Sequence, residues 1–144
     1  MNQDIDILAV DDEQGYRDLF TFMLEPLGMN VTCVCNGLQA LEKLNEKVYD
    51  LVLMDVHMPE MNGPETLKRI KALWPDQKVV IFSSSSDPEY KFEKLAEQQG
   101  VVACLFKPVD DAEIQRVLKK ALGGGVTFND FEKPNDGKES AYVA

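Results

Sequence analysis

Histidine occurs once in the 144 residues, at position 57, and cysteine three times, at 33, 35 and 104. One imidazole and three scattered thiols are a poor ligand supply for a structural zinc site. The odd cysteine count, behind an N-terminus "MNQDIDILAV" that carries acids in place of a basic leader, predicts reduced thiols in the cytoplasm. Cys33 and Cys35 lie two apart on an expected strand, so they share a face and project in parallel, which suits packing better than a mutual disulfide. All three read as small apolar residues. No apolar run approaches the roughly 20 residues of a spanning helix. Basic residues are in deficit, 15 against 25 acids, and the net charge of −10 argues against nonspecific binding to nucleic acid or insertion at an anionic membrane.

What is present is the material of one globular domain: 44% hydrophobic and 28% charged residues in a chain long enough to bury a core without disulfides. Five short apolar runs recur: "IDILAV" (5–10), "NVTCVC" (30–35), "DLVLMD" (50–55), "KVVIFS" (78–83) and "VVACLF" (101–106). They alternate little with polar residues, as strands of a parallel sheet do when both faces are covered. Helical stripes lie between them. Tyr16, Leu19, Phe20, Met23, Leu24 and Leu27 mark the first. Leu38, Leu41 and Leu44 follow Asn36 as a candidate cap, and Leu67, Ile70 and Leu73 follow Pro64 in a first-turn position. "SDPEYKFEKLAEQQG" offers Asp87 as cap and Gly100 as terminator. Ile114, Val117, Leu118, Ala121 and Leu122 complete the last stripe, begun near Asp110 or Asp111 and stopped by Gly123.

Five alternations of strand and helix predict a doubly wound α/β domain with a five-stranded parallel sheet and five helices over residues 1–123. The Gly-led, polar, aperiodic residues 124–144 read as a flexible tail.

In such sheets the working residues gather at the carboxyl ends of the strands. Asp11, Asp12 and Glu13 follow the first strand, Asp55 ends the third, Ser83 to Ser86 follow the fourth, and Lys107 and Pro108 follow the fifth. Carboxylates brought within about 4 Å repel by on the order of 4 kcal/mol per pair at an effective dielectric near 20. Such a group either holds protons or holds a cation, and few hard oxygen ligands suit Mg²⁺. A lysine and a hydroxyl beside it would cradle a phosphoryl group, with Asp55 placed as a carboxylate nucleophile. The plainer reading is that Asp11, Asp12 and Asp55 each cap a following helix.

Four segments, "VDDE", "LMDVHMPEMNG", "VVIFSS" and "FKPV", in this order and each at a strand end, make the sequence strongly resemble the receiver domain of bacterial two-component response regulators. The resemblance covers residues 5 to 122. It implies the CheY-like strand order 2-1-3-4-5 and a phosphorylation switch in a His-Asp phosphorelay. Asp55 would accept a phosphoryl group from a histidine kinase or phosphotransfer protein. Asp12 would ligate Mg²⁺ directly, with Asp11 assisting through water and with Asp55 and the backbone carbonyl of His57 as further ligands. Ser83 would bond the phosphoryl oxygen and Lys107 would pair with it, before a cis bond to Pro108. The inward pull on Ser83 and Lys107 would shift a population between two packings and remodel a surface for a downstream target protein. A phosphorylation-dependent dimer is one form that output takes.

Two departures stand out. Family members usually carry an aromatic switch residue three places before the lysine, where this chain has Cys104; Phe106, on the same strand face, is the candidate substitute. The stretch from Ser83 to Lys107 is longer than is common, and Ser84 is an alternative hydroxyl donor. His57 and Ser85 fall where the family tunes autodephosphorylation. The leading expectation is a stand-alone phosphoacceptor switch, not a metabolic enzyme. Its alternative is a pseudo-receiver, an interaction module that is never phosphorylated. A phosphatase of the haloacid-dehalogenase type fits poorly, because "VDDEQG" replaces the Asp-x-Asp motif expected after the first strand.

Overall fold

The computed structural model describes residues 4–56, 63–83 and 100–123, together with the backbone of 141–143. The strands are β1 (Ile5–Val10), β2 (Met29–Val34), β3 (Leu51–Asp55), β4 (Val79–Ser83), β5 (Ala103–Phe106) and β6 (Ala141–Val143). The helices are α1 (Gln14–Leu24), continued by a 3₁₀ turn Glu25–Leu27, then α2 (Gly37–Glu46), α3 (Gly63–Leu73) and α4 (Asp111–Leu122). The first five strands are parallel in the order 2-1-3-4-5 that the resemblance implies. The fourth expected helix, in "SDPEYKFEKLAEQQG", lies outside the described residues, apart from Gly100, whose φ of 74° suits a helix terminator.

One strand was not anticipated. Residues 124–144 read as an aperiodic tail, yet Ala141–Val143 pairs antiparallel with β5, Leu105 opposite Ala141 and Ala103 opposite Val143. A three-residue strand is too short to show a period, and its place depends on the edge that β5 leaves open.

Helices cover both faces, which is why the strands need no polar alternation. Every residue of β3 and β4 is buried, whereas β2, at the sheet edge, mixes buried and exposed positions. On one face Ile7, Ala9, Leu53, Phe82 and Leu105 meet Phe20 and Leu24 of α1 and Ile114, Val117 and Leu118 of α4. On the other, Leu8, Val10, Met54, Ile81 and Cys104 meet Ala40 and Leu44 of α2 and Leu67 and Ile70 of α3. Complete burial of a Phe20 or Ile70 side chain contributes about 1.5–3 kcal/mol.

Local signals act where the sequence placed them. Asn36 accepts from the Gln39 N–H at 2.9 Å, and the Gln39 side chain accepts in return from the Cys35 N–H, a near relative of the capping box. Asp110, not Asp111, caps α4 by accepting from the Ala112 N–H at 2.8 Å. Gly123, at φ 79°, ends that helix. All three cysteines are free thiols, Cys104 fully buried and the other two half-buried. No helix among the described residues is long and apolar enough to cross a membrane.

Candidate functional site

Three backbone bonds carry the sheet ladder just past the strands and so fix the side chains at its carboxyl edge. The Asp11 N–H donates to Val34 O at 3.1 Å, the Val56 N–H to Phe82 O at 3.0 Å, and the Lys107 N–H to Ser83 O at 2.9 Å. Asp11 is thereby tied beyond β1, Asp55 is held at the end of β3, and Lys107 is tied beside Ser83 across β4 and β5. The peptide bond from Lys107 to Pro108 is cis, as the resemblance implies.

These ties bring together residues that the sequence keeps far apart. Carboxylate oxygens of Asp11, Asp12 and Asp55 lie within 4.8 Å of one another. The side chains of Asp11 and Asp55 are only 1% and 5% exposed, while Asp12 faces solvent. The Lys107 ammonium stands among them, donating to Asp11 Oδ2 at 2.9 Å and lying 3.4 Å from Asp55 Oδ2 and 3.6 Å from Glu13 Oε1. Ser83 is fully buried at the end of β4. Thus Asp11, Asp12, Asp55, Ser83 and Lys107 all lie at one edge. His57, and the alternative hydroxyls Ser84 and Ser85, lie outside the described residues.

Asp11 does part of what a capping residue does: its Oδ1 accepts from the Glu13 N–H at 3.0 Å. Its second oxygen is turned to Lys107, so capping does not exhaust its role. Burial pushes the Asp11 carboxyl above its ordinary value of 3.8, and the Glu13 N–H and Lys107 offset this only in part. For Lys107 burial works in the lowering direction. The hydrogen bond to Asp11 and the charges of Asp55, Asp11 and Glu13 outweigh it, leaving the ammonium above its ordinary 10.5. The cation is therefore held firmly charged against a carboxylate that resists ionisation.

Three residues around this centre had no assigned role in the sequence reading. Glu13 was noted only as a neighbour of the two aspartates. Arg17 holds the loop by donating from Nη1 to the Asp11 carbonyl at 2.7 Å. Tyr16, read as part of the apolar stripe of α1, lays its ring 4.0 Å from the Lys107 ammonium. The stripe placed Tyr16 one turn past β1, but its approach to Lys107 exists only in the folded sheet.

Chemically, the group offers hard oxygen donors, two of them buried, and one counter-cation for three carboxylates. That donor set fits a small hard divalent cation, which would take up the uncompensated charge. Among the described residues no buried side-chain polar atom lacks a partner. At the buried acids an incoming ion meets oxygens that already have partners.

Residues 7–119 match the family model for the response regulator receiver domain. The transcriptional regulatory protein ZraR of Escherichia coli (strain K12) is 43% identical over 121 residues, covering 84% of this chain and 27% of that protein. The chain thus spans about a quarter of the length of such regulators. Sporulation initiation phosphotransferase F of Bacillus subtilis (strain 168) is 34% identical over 116 residues, covering 81% of this chain and 92% of that one. Among solved structures, the signal receiver domain of an HD domain-containing protein from Pseudomonas fluorescens Pf-5 superposes with a TM-score of 0.76 at 28% identity, over 83% of this chain and 95% of that one.

Proposed function

Because this chain belongs to the response regulator receiver family, we propose that it is a phosphoacceptor switch in a His-Asp phosphorelay, phosphorylated on Asp55. The observation that carries the proposal is the Lys107 ammonium lying between the buried carboxylates of Asp11 and Asp55, with Asp12 beside them.

A carboxylate oxygen of Asp55 attacks phosphorus, and the bond from phosphorus to the leaving group breaks: the imidazole nitrogen of a partner's phosphohistidine, or the acetate oxygen of acetyl phosphate. Lys107 pairs with one phosphoryl oxygen and Ser83 donates its hydroxyl hydrogen to another, so both strand ends are drawn toward the new group. Asp12 would hold Mg²⁺ directly, Asp11 would assist through water, and Asp55 and the His57 carbonyl would serve as further ligands. Mg²⁺, when bound, neutralises negative charge on the phosphoryl oxygens and on the acids. The product carries more negative charge and more acceptor oxygens than the free carboxylate. It favours the packing that offers those oxygens more donors, and it can shift the population only by that difference.

The donors would be a histidine kinase or a phosphotransfer protein in the cytoplasm, and the readout contact with a downstream target protein. The receiver domain is assigned to residues 1–123, with Ala141–Val143 added to its sheet as β6. ZraR is by name a transcriptional regulator; here the reading concerns the receiver alone. Cys104 is buried among Val79, Ile81 and Val101, and takes the place of the aromatic usual at that position.

Intact mass after incubation with acetyl phosphate and Mg²⁺ tests the proposal, alongside Asp55→Asn and a Mg²⁺-free control. One labile phosphoryl adduct that needs both Asp55 and the metal is expected. No adduct on a protein shown separately to bind Mg²⁺ would replace the switch with a phosphorylation-independent interaction module.

A further inference from the structure

We propose that Tyr16 is a positioning residue for Lys107, its ring face holding the ammonium at the site while the carboxylates that now bind it are engaged elsewhere. The proposal rests on the phosphoacceptor reading of the same site.

Lys107 has four described neighbours at its charged end: Asp11 at 2.9 Å, Asp55 at 3.4 Å, Glu13 at 3.6 Å and the Tyr16 ring centroid at 4.0 Å. In the phosphoacceptor reading the first two are committed to other work, Asp55 to the new bond and Asp11 to the metal's water. Glu13 is 60% exposed, so solvent and salt screen its hold on the ammonium. Only the ring neither ligates a hard cation nor competes for phosphorus. It attracts the ammonium through its quadrupole, and more strongly where water is excluded. Lys107 is 12% exposed, which meets that condition. Without the ring, its four-carbon stem would regain rotational freedom just when Lys107 must await a phosphoryl oxygen.

The ring is itself anchored. Its centroid lies 6.3 Å from that of Phe20, tilted by 42°, and Phe20 lies 5.1 Å from Phe82, the residue before Ser83. Phe20 and Phe82 are both fully buried. An unbroken aromatic row therefore runs from the lysine of the site, through α1, to the strand that presents the site's hydroxyl. It lies on the face of the sheet opposite Cys104.

Two readouts separate this role from packing. The first is proton NMR of the Lys107 ε-methylene in the Mg²⁺-loaded protein. An upfield ring-current shift should persist with Mg²⁺ in the wild type and in Tyr16→Phe, and vanish in Tyr16→Leu. If Mg²⁺ abolishes the shift in the wild type, the ring does not hold the ammonium and the proposal is overturned. The second is the rate of Asp55 phosphorylation across acetyl phosphate concentrations. Tyr16→Phe should keep the wild-type rate, and Tyr16→Leu should fall roughly three- to thirty-fold at unchanged Mg²⁺ affinity. Fluorinated phenylalanines at 16 should lower the rate in step with their depleted ring faces, which a packing role would not. Rates indifferent to fluorination, or a Leu variant as fast as Tyr, would sink the proposal. Should the wild type take no phosphoryl group, the phosphoacceptor reading fails, and the NMR arm alone decides whether the ring holds Lys107.

Discussion

Asp11 and Lys107 are shifted upward together, for different balances of the same forces. For Asp11 the cost of burial prevails over its partners; for Lys107 the partners prevail over burial. Each shift has a consequence for stability. The folded pKa of Lys107 is raised, so its contribution is fully present below its ordinary 10.5 and is lost as pH rises through the folded value. The folded pKa of Asp11 is also raised, and it belongs to an acid. Protonation of Asp11 therefore favours the fold below its ordinary 3.8, and the benefit is lost as pH rises through the folded value, where ionising the buried carboxyl costs stability. We predict that Asp11→Asn, without Mg²⁺, raises the free energy of unfolding at pH 7 by on the order of 1 kcal/mol. The gain should shrink as the pH is lowered toward 4. Urea titrations of both proteins across that range provide the check. A variant less stable than wild type at pH 7 would mean that the bond to Lys107 outweighs the burial cost.

Elements differ in how far their own residues specify them. The start of α2 is set locally: Asn36 accepts from Gln39 N–H, and Gln39 accepts from Cys35 N–H. Asn36→Ala removes one of the helix's orphan-donor partners and should cost about 1 kcal/mol in urea denaturation at unchanged m-value. A loss below a few tenths would show that Gln39 holds the turn alone. Such caps were legible because a short polar side chain before an apolar stripe has few other uses. The start of α1 was not, since Glu13 stands at its cap position without a side-chain bond, and the turn is held instead by Asp11 from the strand before and Arg17 from the helix after. That arrangement requires β1 and α1 to be already in place. The choice of Asp110 over its neighbour Asp111 was likewise beyond sequence, as either aspartate satisfies the same pattern.

At the scale of the whole molecule, continuous apolar runs joined by helical stripes gave away a doubly covered sheet, and the carboxyl-end rule gathered Asp11, Asp55, Ser83 and Lys107 before any distance was known. What the pattern could not carry was partnership. Nothing in the stripe of α1 distinguishes Tyr16, which faces a lysine, from Phe20, which is buried in the core. Nor does anything in "SAYVA" announce an edge strand. β6 earns its place from β5, whose outer edge would otherwise present unpaired backbone groups on an apolar strand, the condition that invites pairing between molecules. The site does not depend on it, because Lys107 is tied to Ser83 by a backbone bond on the opposite edge of β5. Deleting residues 141–144 should therefore leave cooperative unfolding and the Asp55 adduct intact while producing concentration-dependent association, read by light scattering after size-exclusion chromatography. A truncated protein that stays monomeric at every concentration would show that the β5 edge is protected by something other than β6. One that loses the adduct would place β6 among the supports of Lys107.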